Sequence, residues 1–198
     1  PMVSEAALTV GSAQVRNLAT IGGNLCNGAP SADMAPGLLV LDSSVTISGV
    51  NGDRIMKLEE FFRGPGEVNL QKGELLKELF VPFPDKDMRM VYSKLGPRRA
   101  MDCALVGVAV ALILKNSGQH CQSAKIALGA VAPTPVRAKK TGQFLSGKPV
   151  KEFKAEEIKK MLLAEIAPIS DVRASAAYRA EMISTLTLRA IEDLVNSN

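Results

Sequence analysis

The chain has 198 residues, 46% hydrophobic and 22% charged, with a formal net charge of +4, which suits an ordinary globular protein of one large or two small domains. Its apolar runs fall short of the roughly 20 residues that a membrane span requires, so we expect no membrane span. Its basic residues are scattered and not interleaved with aromatic residues, so we expect no nucleic-acid partner.

The three cysteines, Cys26, Cys103 and Cys121, share no metal-ligand spacing, and an iron–sulfur cluster needs four thiolates. We interpret them as buried or partly buried free thiols of a reducing compartment. The single histidine, His120, lies in a polar Asn-Ser-Gly-Gln-His segment, which indicates an exposed loop. The sequence therefore predicts no metal site and no catalytic side chain in this chain.

The first predicted element is a helix over residues 1–12 that ends near Gly11, with one apolar face formed by Val3, Ala6, Ala7 and Val10. Polar residues within it interrupt any signal-peptide pattern, so a cytoplasmic location is the default expectation. A chain that opens inside such a helix without an initiator Met has the character of a fragment.

The next segment has the composition of a ligand site. Gly22 and Gly23 lack Cβ atoms, so their amides can approach phosphate oxygens, while Thr20 and Asn24 supply a hydroxyl and an amide. A turn rich in chain-bending residues follows and ends on Asp33. For the glycine pair alone, the alternative is a tight turn with positive φ after a strand-like Leu-Ala-Thr-Ile run. Neither a nucleotide-triphosphate loop nor a dinucleotide fingerprint is present.

Short elements continue to a proline-rich linker. The sequence predicts an apolar helical stretch at 36–42 and a hairpin around Asn51-Gly52-Asp53 at 45–58. It then predicts one helical turn at 58–66 and a strand at 75–82. The linker at 82–87 marks a domain boundary, so we expect one domain over 1–84 and a second over 85–198.

The second half predicts three strands followed by two helices. The strands cover 90–95, 104–114 and 124–131, and the middle one is apolar on both faces and therefore central. The first helix, 155–167, carries an apolar stripe of Ile158, Met161, Leu162 and Ile166. The second, 176–195, carries Tyr178, Met182 and Leu186, continued by Arg189, Ala190 and Val195. Blocks of strands and helices favour an α+β fold.

Seven sequence blocks, in this order, resemble the FAD-binding medium subunit of the molybdenum hydroxylases, the family of carbon monoxide dehydrogenase and xanthine dehydrogenase. They include Val-Arg-Asn-Leu-Ala-Thr-Ile-Gly-Gly-Asn and Tyr-Ser-Lys-Leu-Gly-Pro-Arg-Arg-Ala-Met-Asp, and lie at 15–24, 31–36, 61–66, 73–76, 92–102, 128–135 and 168–179. The combination spans nearly the whole chain and is specific to the family. The resemblance implies the antiparallel-sheet part of an FAD-binding domain, then a small domain with a three-stranded antiparallel sheet packed on helices.

The resemblance also implies residues of an FAD site. The pyrophosphate and neighbouring flavin atoms would be held by Thr20, Ile21, Gly22, Gly23 and Asn24. Asp33 would bond to the cofactor and Leu76 would pack near the isoalloxazine. Lys94 would lie at the isoalloxazine edge, where a cation stabilises the negative charge of a reduced flavin. The alternative for Lys94 is an exposed strand lysine.

Two further segments have implied roles. The loop at 96–102 would lie beside the flavin and govern electron-acceptor access, although Arg98 or Arg99 could instead be surface charges. Asp102 could equally cap the element that follows. The segment 168–179 is expected to serve packing and subunit contacts.

The resemblance implies a division of labour among subunits. A large partner would carry the molybdenum cofactor and a small partner two 2Fe-2S clusters, and the flavin subunit would pass electrons to an acceptor such as NAD or a quinone. The family has a second Gly-Gly loop upstream of the matched region, so the resemblance implies that the N-terminal FAD subdomain is missing here. A fragment of this kind would bind FAD weakly or not at all.

Two other functions remain open at this stage. A stand-alone flavin oxidoreductase would need a proton donor beside the flavin, for which Tyr92, Asp102 and Cys103 are the nearby candidates. A non-catalytic fragment could instead act as a scaffold for other subunits.

Overall fold

The computed structural model of the protein describes residues 2–98 and 102–197. The first half contains four short helices and two small antiparallel sheets. The helices are α1 (Met2–Leu8), α2 (Ala13–Leu18), α3 (Ile21–Cys26) and α4 (Met34–Val40). The strands are β1 (Ser44–Gly49), β2 (Gly52–Lys57), β3 (Phe62–Gly64), β4 (Glu67–Val68) and β5 (Leu75–Phe80), with a 3₁₀ turn at Leu58–Glu60.

The second half contains the large sheet and the longer helices. Its strands are β6 (Met88–Leu95), β7 (Val106–Lys115), β8 (His120–Gly129), β9 (Val136–Arg137) and β10 (Lys148–Pro149). Its helices are α5 (Lys139–Leu145), α6 (Ala155–Leu163) and α7 (Ala176–Asn196), with a 3₁₀ turn at Val150–Glu152. All strand pairs described are antiparallel, in the orders β2-β1-β5, β3-β4 and β10-β8-β7-β6, with β9 beside β8.

The large sheet is covered on both faces, and this explains why its central strand β7 is apolar throughout. Ala109, Ala111 and Ala127 face the first-half helices, whereas Val108 and Val110 face the helices of the second half. Small alanines on the first face allow α4 to approach β7 and β8 closely, and all seven residues of α4 are buried. Helix α4 therefore joins the first half of the chain to β7 and β8 of the large sheet, and α1 adds a contact with β6.

The predicted α+β class and most of the predicted elements are confirmed. The hairpin forms around Val50 and Asn51, with Gly52 at a φ of +102°. The three strands of the second half pair antiparallel as predicted, and β9 and β10 extend their sheet. The predicted boundary between residues 84 and 85 falls in the segment that joins β5 to β6, and the division into two domains stays a prediction.

Several local predictions were wrong. Helix α5 was not predicted, and the expected helical turn at 58–66 is a 3₁₀ turn followed by the β3–β4 ribbon. Helix α6 ends at Leu163, so Ile166 lies outside it. The start of β8, where His120 pairs with Lys115, is a strand and not an exposed loop. Cys103 is exposed, whereas Cys121 is buried and Cys26 is partly buried.

The buried stripe of α7 was predicted only in part: Ala190 is buried, and Met182, Leu186 and Val195 are partly buried against the second-half core. Tyr178 is 45% exposed, and the buried positions include Arg179, Ile183, Thr187 and Leu194. Part of this stripe is polar: the Thr187 hydroxyl donates to the Ile183 carbonyl at 2.7 Å, which satisfies it inside the helix. A search for apolar side chains alone misses such positions, because their polarity is satisfied within the helix itself.

Among the described helices, including the 21-residue α7, none combines the length and apolar character needed to cross a membrane.

Candidate functional site

The glycine pair lies inside the first turn of helix α3. Thr20 is the N-cap, in an extended conformation, and its Oγ1 accepts a hydrogen bond from the Gly23 amide at 2.9 Å. Neither Gly22 nor Gly23 has a positive φ, so the tight-turn alternative is wrong. The supposed strand before the pair is also wrong, because Leu18 ends helix α2.

The amides of Ile21 and Gly22 stand at the open end of α3. The first intrahelical bond of α3 runs from the Asn24 amide to the Thr20 carbonyl at 3.0 Å, and the Gly23 amide donates to the Thr20 side chain. The amides of Ile21 and Gly22 therefore have no partner within the helix. Free amides at a helix start carry partial positive charge and favour an anion. The segment is a helix start and not a turn, and its predicted binding of an anion stays a prediction.

A small cavity of about 110 Å³ opens beside this helix start, lined by Val10, Arg16, Thr20, Ile21, Asn24 and Met34 among others. Asn24 Oδ1 is buried and has no hydrogen-bond partner within residues 2–98 and 102–197. An amide oxygen in this position requires a donor, because burying an unpaired acceptor is unfavourable. Asn24 thus presents an unused acceptor at the cavity.

Leu76 of β5 lies against the same helix. A Cβ atom placed on Gly22 would come within 3.7 Å of Leu76 Cδ2, an ordinary van der Waals contact. The structure therefore brings Leu76 and the α3 start together, and the predicted role of Leu76 beside the isoalloxazine stays a prediction. A Cβ on Gly23 would lie 3.1 Å from Thr20 Oγ1, so Gly23 leaves room for the cap.

Asp33 is bound by two residues of strand β6. Its Oδ2 accepts from Lys94 Nζ at 2.8 Å and its Oδ1 from the Tyr92 hydroxyl at 3.2 Å. Tyr92 and Lys94 are two positions apart on a strand, so both side chains point to one face of the sheet. Asp33 precedes helix α4 without capping it, and its side chain is instead fixed by the strand.

Lys94 is buried, with a side chain that is 6% exposed, so the alternative of an exposed strand lysine is wrong. Besides Asp33, its Nζ donates to the Thr9 carbonyl at 2.9 Å and to the Asp102 carbonyl at 3.3 Å. Asp102 Oδ1 lies 3.6 Å from the same nitrogen. Three acceptors match the three donors of an ammonium group.

One buried ammonium group therefore faces two carboxylates. Burial raises the pKa of Asp33, the neighbouring Asp102 carboxylate adds to the rise, and Lys94 and Tyr92 offset only part of it. Burial and the nearby Asp33 also raise the pKa of Tyr92 well above its ordinary value, so its hydroxyl stays protonated.

The buried cluster and the α3 cavity are neighbours along the chain. Val10 and Met34 line the cavity, while the residues before them, Thr9 and Asp33, bind Lys94. Sequence reasoning missed Thr9 because only its carbonyl takes part. It also missed Tyr92 as the partner of Asp33, although the two-residue spacing of Tyr92 and Lys94 on a strand indicates that their side chains lie on one face.

The 96–102 loop is closed by Asp102. Its Oδ2 accepts from the Arg98 amide at 3.1 Å, so the carboxylate binds back into the loop and does not cap the element that follows. A Cβ on Gly96 would lie 1.8 Å from the same oxygen, so Gly96 is required for this closure. Arg99 lies outside the described residues.

Comparisons with known proteins identify the family of the chain. Residues 91–194 match the family model of the CO dehydrogenase flavoprotein C-terminal domain, and residues 1–84 match that of the FAD binding domain in molybdopterin dehydrogenase. The chain belongs to the flavoprotein subunits of the molybdenum hydroxylase family. This flavoprotein therefore contains an FAD-binding domain and is a component of an oxidoreductase, as predicted.

The flavoprotein is similar to characterised subunits along most of its length. It is 36% identical to the glyceraldehyde dehydrogenase medium chain of Sulfolobus acidocaldarius, covering 98% of this chain and 68% of that protein. It is 35% identical to a xanthine dehydrogenase FAD-binding subunit of Escherichia coli O157:H7, covering 98% and 66%. Reconstituted CO dehydrogenase from Oligotropha carboxidovorans has the same fold, with a TM-score of 0.92 and 31% identity over 98% of this chain and 67% of that chain. The flavoprotein thus spans about two thirds of the length of these relatives.

Proposed function

We propose that this chain binds FAD at the α3 start and serves as the flavoprotein subunit of a molybdenum-containing dehydrogenase. The observation that carries the proposal is the presence, on one short helix, of two start amides without an intrahelical partner, at Ile21 and Gly22, and of the buried Asn24 oxygen, which has no partner among the described residues. A pyrophosphate requires donors and an anion-favouring dipole, whereas ribose hydroxyls and flavin N–H groups require acceptors. The α3 start offers donors for the pyrophosphate, and Asn24 offers an acceptor.

Each residue of the site has a proposed role in holding the cofactor. The amides of Ile21 and Gly22 would bind the pyrophosphate, and Thr20 and Gly23 would fix the helix start that presents them. Leu76 would supply an apolar wall for the isoalloxazine. FAD, when bound, supplies the redox chemistry, and the chain binds and orients it.

We propose that Asp33 contacts the cofactor while Lys94 positions Asp33. A carboxylate offers about four acceptor sites, and Asp33 uses two of them on Tyr92 and Lys94. It therefore keeps capacity for a cofactor hydroxyl or N–H group. The three N–H donors of Lys94 are used by Asp33, Thr9 and Asp102. Lys94 would therefore act on the flavin edge by positioning Asp33 and through its own positive charge.

Electrons would reach the flavin from 2Fe-2S clusters of a small partner subunit, itself reduced by a large subunit with the molybdenum cofactor, and would leave to an external acceptor. The family membership supports this assignment, as do the names of the relatives, which are medium or FAD subunits. We place the complex in the cytoplasm and retain the division into domains at 1–84 and 85–198 as part of the proposal. The Tyr92 hydroxyl is already bound to Asp33, which disfavours its use as the proton donor of a stand-alone flavin enzyme.

Affinity purification of the tagged chain from its native cells tests the proposal. We expect FAD, iron and molybdenum in one complex, with reduction of the flavin when the iron–sulfur centres are reduced. Flavin without iron and molybdenum would support a stand-alone flavin enzyme, and iron and molybdenum without flavin would support a scaffold.

A further inference from the structure

A second polar cavity, of about 190 Å³, lies at the opposite end of helix α4 from Asp33. Its polar wall consists of Asp42, Ser43, Lys57, Glu59, Arg137 and Lys139. Helix α4 has seven residues, which at about 1.5 Å each separates this cavity from the proposed flavin site by roughly 10 Å along the helix. The cavity is thus distinct from that site, and it lies between residues of the first half and of the second half.

Two buried polar groups of this wall have no hydrogen-bond partner within the described ranges: Ser43 Oγ and Arg137 Nη1. Ser43 is 2% exposed and its backbone is fully used, because its amide donates to Leu38 and its carbonyl accepts from Leu58. The other terminal nitrogen of Arg137 is held by Asp42 Oδ1 at 3.2 Å. Both unpartnered groups can donate a hydrogen bond, and unsatisfied buried donors are rare in folded proteins.

The charges around the cavity favour an anion. Lys139 pairs with Glu59 at 2.9 Å, and Asp42 is shared by Arg137 and Lys125. Lys57 is exposed at the cavity and has no ion pair within residues 2–98 and 102–197. The cavity wall therefore carries three cations, Lys57, Arg137 and Lys139, against the two carboxylates of Asp42 and Glu59. Burial lowers the pKa of Arg137 because its guanidinium group has lost part of its hydration.

We propose that this cavity binds a tetrahedral oxyanion of the phosphate class. Ser43 and Arg137 would donate to its oxygens, and Lys57 would close over it from β2 as the remaining cation. A cavity of this size exceeds the roughly 30 Å³ share of one water molecule and accommodates a small polyatomic anion. The occupied site would bridge Ser43 and Lys57 to Arg137, and so would strengthen the contact between the two halves.

Titration of the natively isolated protein with inorganic phosphate at constant ionic strength, followed by calorimetry and thermal unfolding, tests the proposal. We expect saturable binding and a Tm that rises with phosphate concentration, because a ligand of the folded state stabilises it. A second titration uses AMP in place of inorganic phosphate. Phosphate binding identifies a free anion, and AMP binding without phosphate binding identifies a phosphate carried on a larger ligand.

Ser43→Ala is the decisive variant. Removing an unpaired buried hydroxyl should leave the Tm without phosphate unchanged or raise it, yet phosphate affinity should fall by about tenfold, the loss of one hydrogen bond to a charged ligand. Lys57→Met should weaken phosphate binding as well. Lys159→Met, which removes a surface pair with Glu181 on α7, is the matched control and should bind phosphate normally.

Absence of saturable binding by both phosphate and AMP would overturn the proposal. Equal responses in the wild type, Ser43→Ala and Lys57→Met would overturn it too, because general salt exclusion stabilises all variants alike.

Discussion

At the scale of single residues, the structure distinguishes polar side chains that are satisfied within the fold from buried ones that have no partner among the described residues. The buried Lys94 has all three donors engaged, and Thr20 caps its own helix. Asn24 is different, since its buried oxygen has no partner among the described residues. A polar group that the fold leaves unpaired is the better indicator of a ligand contact.

The substitution Asn24→Leu separates the contribution of Asn24 to the fold from its proposed contribution to FAD binding. The leucine is similar in size and removes an unpaired buried acceptor, so the free energy of unfolding should stay the same or rise. FAD affinity should fall by about tenfold, measured by quenching of flavin fluorescence, because the hydrogen bond to the cofactor is lost. Asn27→Leu, an exposed change at the far end of α3, is the matched control and should keep wild-type affinity. Unaltered FAD affinity in Asn24→Leu would count against the assignment of Asn24.

The cysteines should differ in reactivity. Burial raises the pKa of Cys121 to about 11 and also raises that of Cys26, whereas Cys103 is exposed. The reactive form is the thiolate, so an alkylating reagent at mildly alkaline pH should label Cys103 first and Cys121 only after unfolding. Mass spectrometry of the labelled peptides measures this order, and early labelling of Cys121 would contradict the described burial.

At the scale of elements, the sequence was informative where apolar residues alone decide burial. The all-apolar strand β7 and the hairpin of β1 and β2 were predicted correctly. The buried stripe of α7 was predicted only in part because the helix also buries the polar residues Arg179 and Thr187. Helix α3 was missed because its two glycines and polar cap have low helical propensity. Gly28 is a position that does require glycine, because its φ is +61° and a Cβ there would lie 2.9 Å from the Glu67 amide nitrogen.

The assignment of Leu76, Asp33 and the α3 start to one site came from family resemblance and not from periodicity, and it stays a prediction. Partners that meet across the chain, such as Lys94 and the Thr9 carbonyl, have no local signature. Tertiary packing sets them, so single-sequence patterns do not reveal them.

An ion pair attaches strand β2 to the 69–74 loop and should make stability depend on pH. Arg54 donates to both oxygens of Glu74, at 2.9 and 2.7 Å, and holds the pKa of Glu74 at about 2, below its ordinary 4.5. A lowered carboxyl pKa stabilises the folded state above 4.5, and this contribution is lost as the pH falls toward 2.

Urea unfolding of the wild type and Arg54→Met at several pH values measures this effect. The stability difference between them should be constant above pH 4.5 and should shrink as the pH approaches 2. Lys72→Met, an exposed change in the same loop, should show no such trend. A stability difference between the wild type and Arg54→Met that does not depend on pH would show that the Arg54–Glu74 pair contributes through packing alone.

At the scale of the whole molecule, helix α4 connects the flavin-site half to the large sheet. Its Leu38 is completely buried against this core. Leu38→Ala should lower the free energy of unfolding by about 2–5 kcal/mol, the usual cost of a cavity in a packed core. Denaturant unfolding measures the loss, with Leu75→Ala as the control because Leu75 is 58% exposed. A loss below that of the control would contradict the role of α4 as the connecting element.

The central claim is that the helix start at Thr20–Asn24 holds the pyrophosphate of FAD. The most direct measurement is to release the flavin from the natively isolated protein and identify it by chromatography. We predict FAD in an amount equimolar with the chain, and a reduced amount in Asn24→Leu. A protein without flavin, or one that carries FMN, which has no pyrophosphate, would contradict the account.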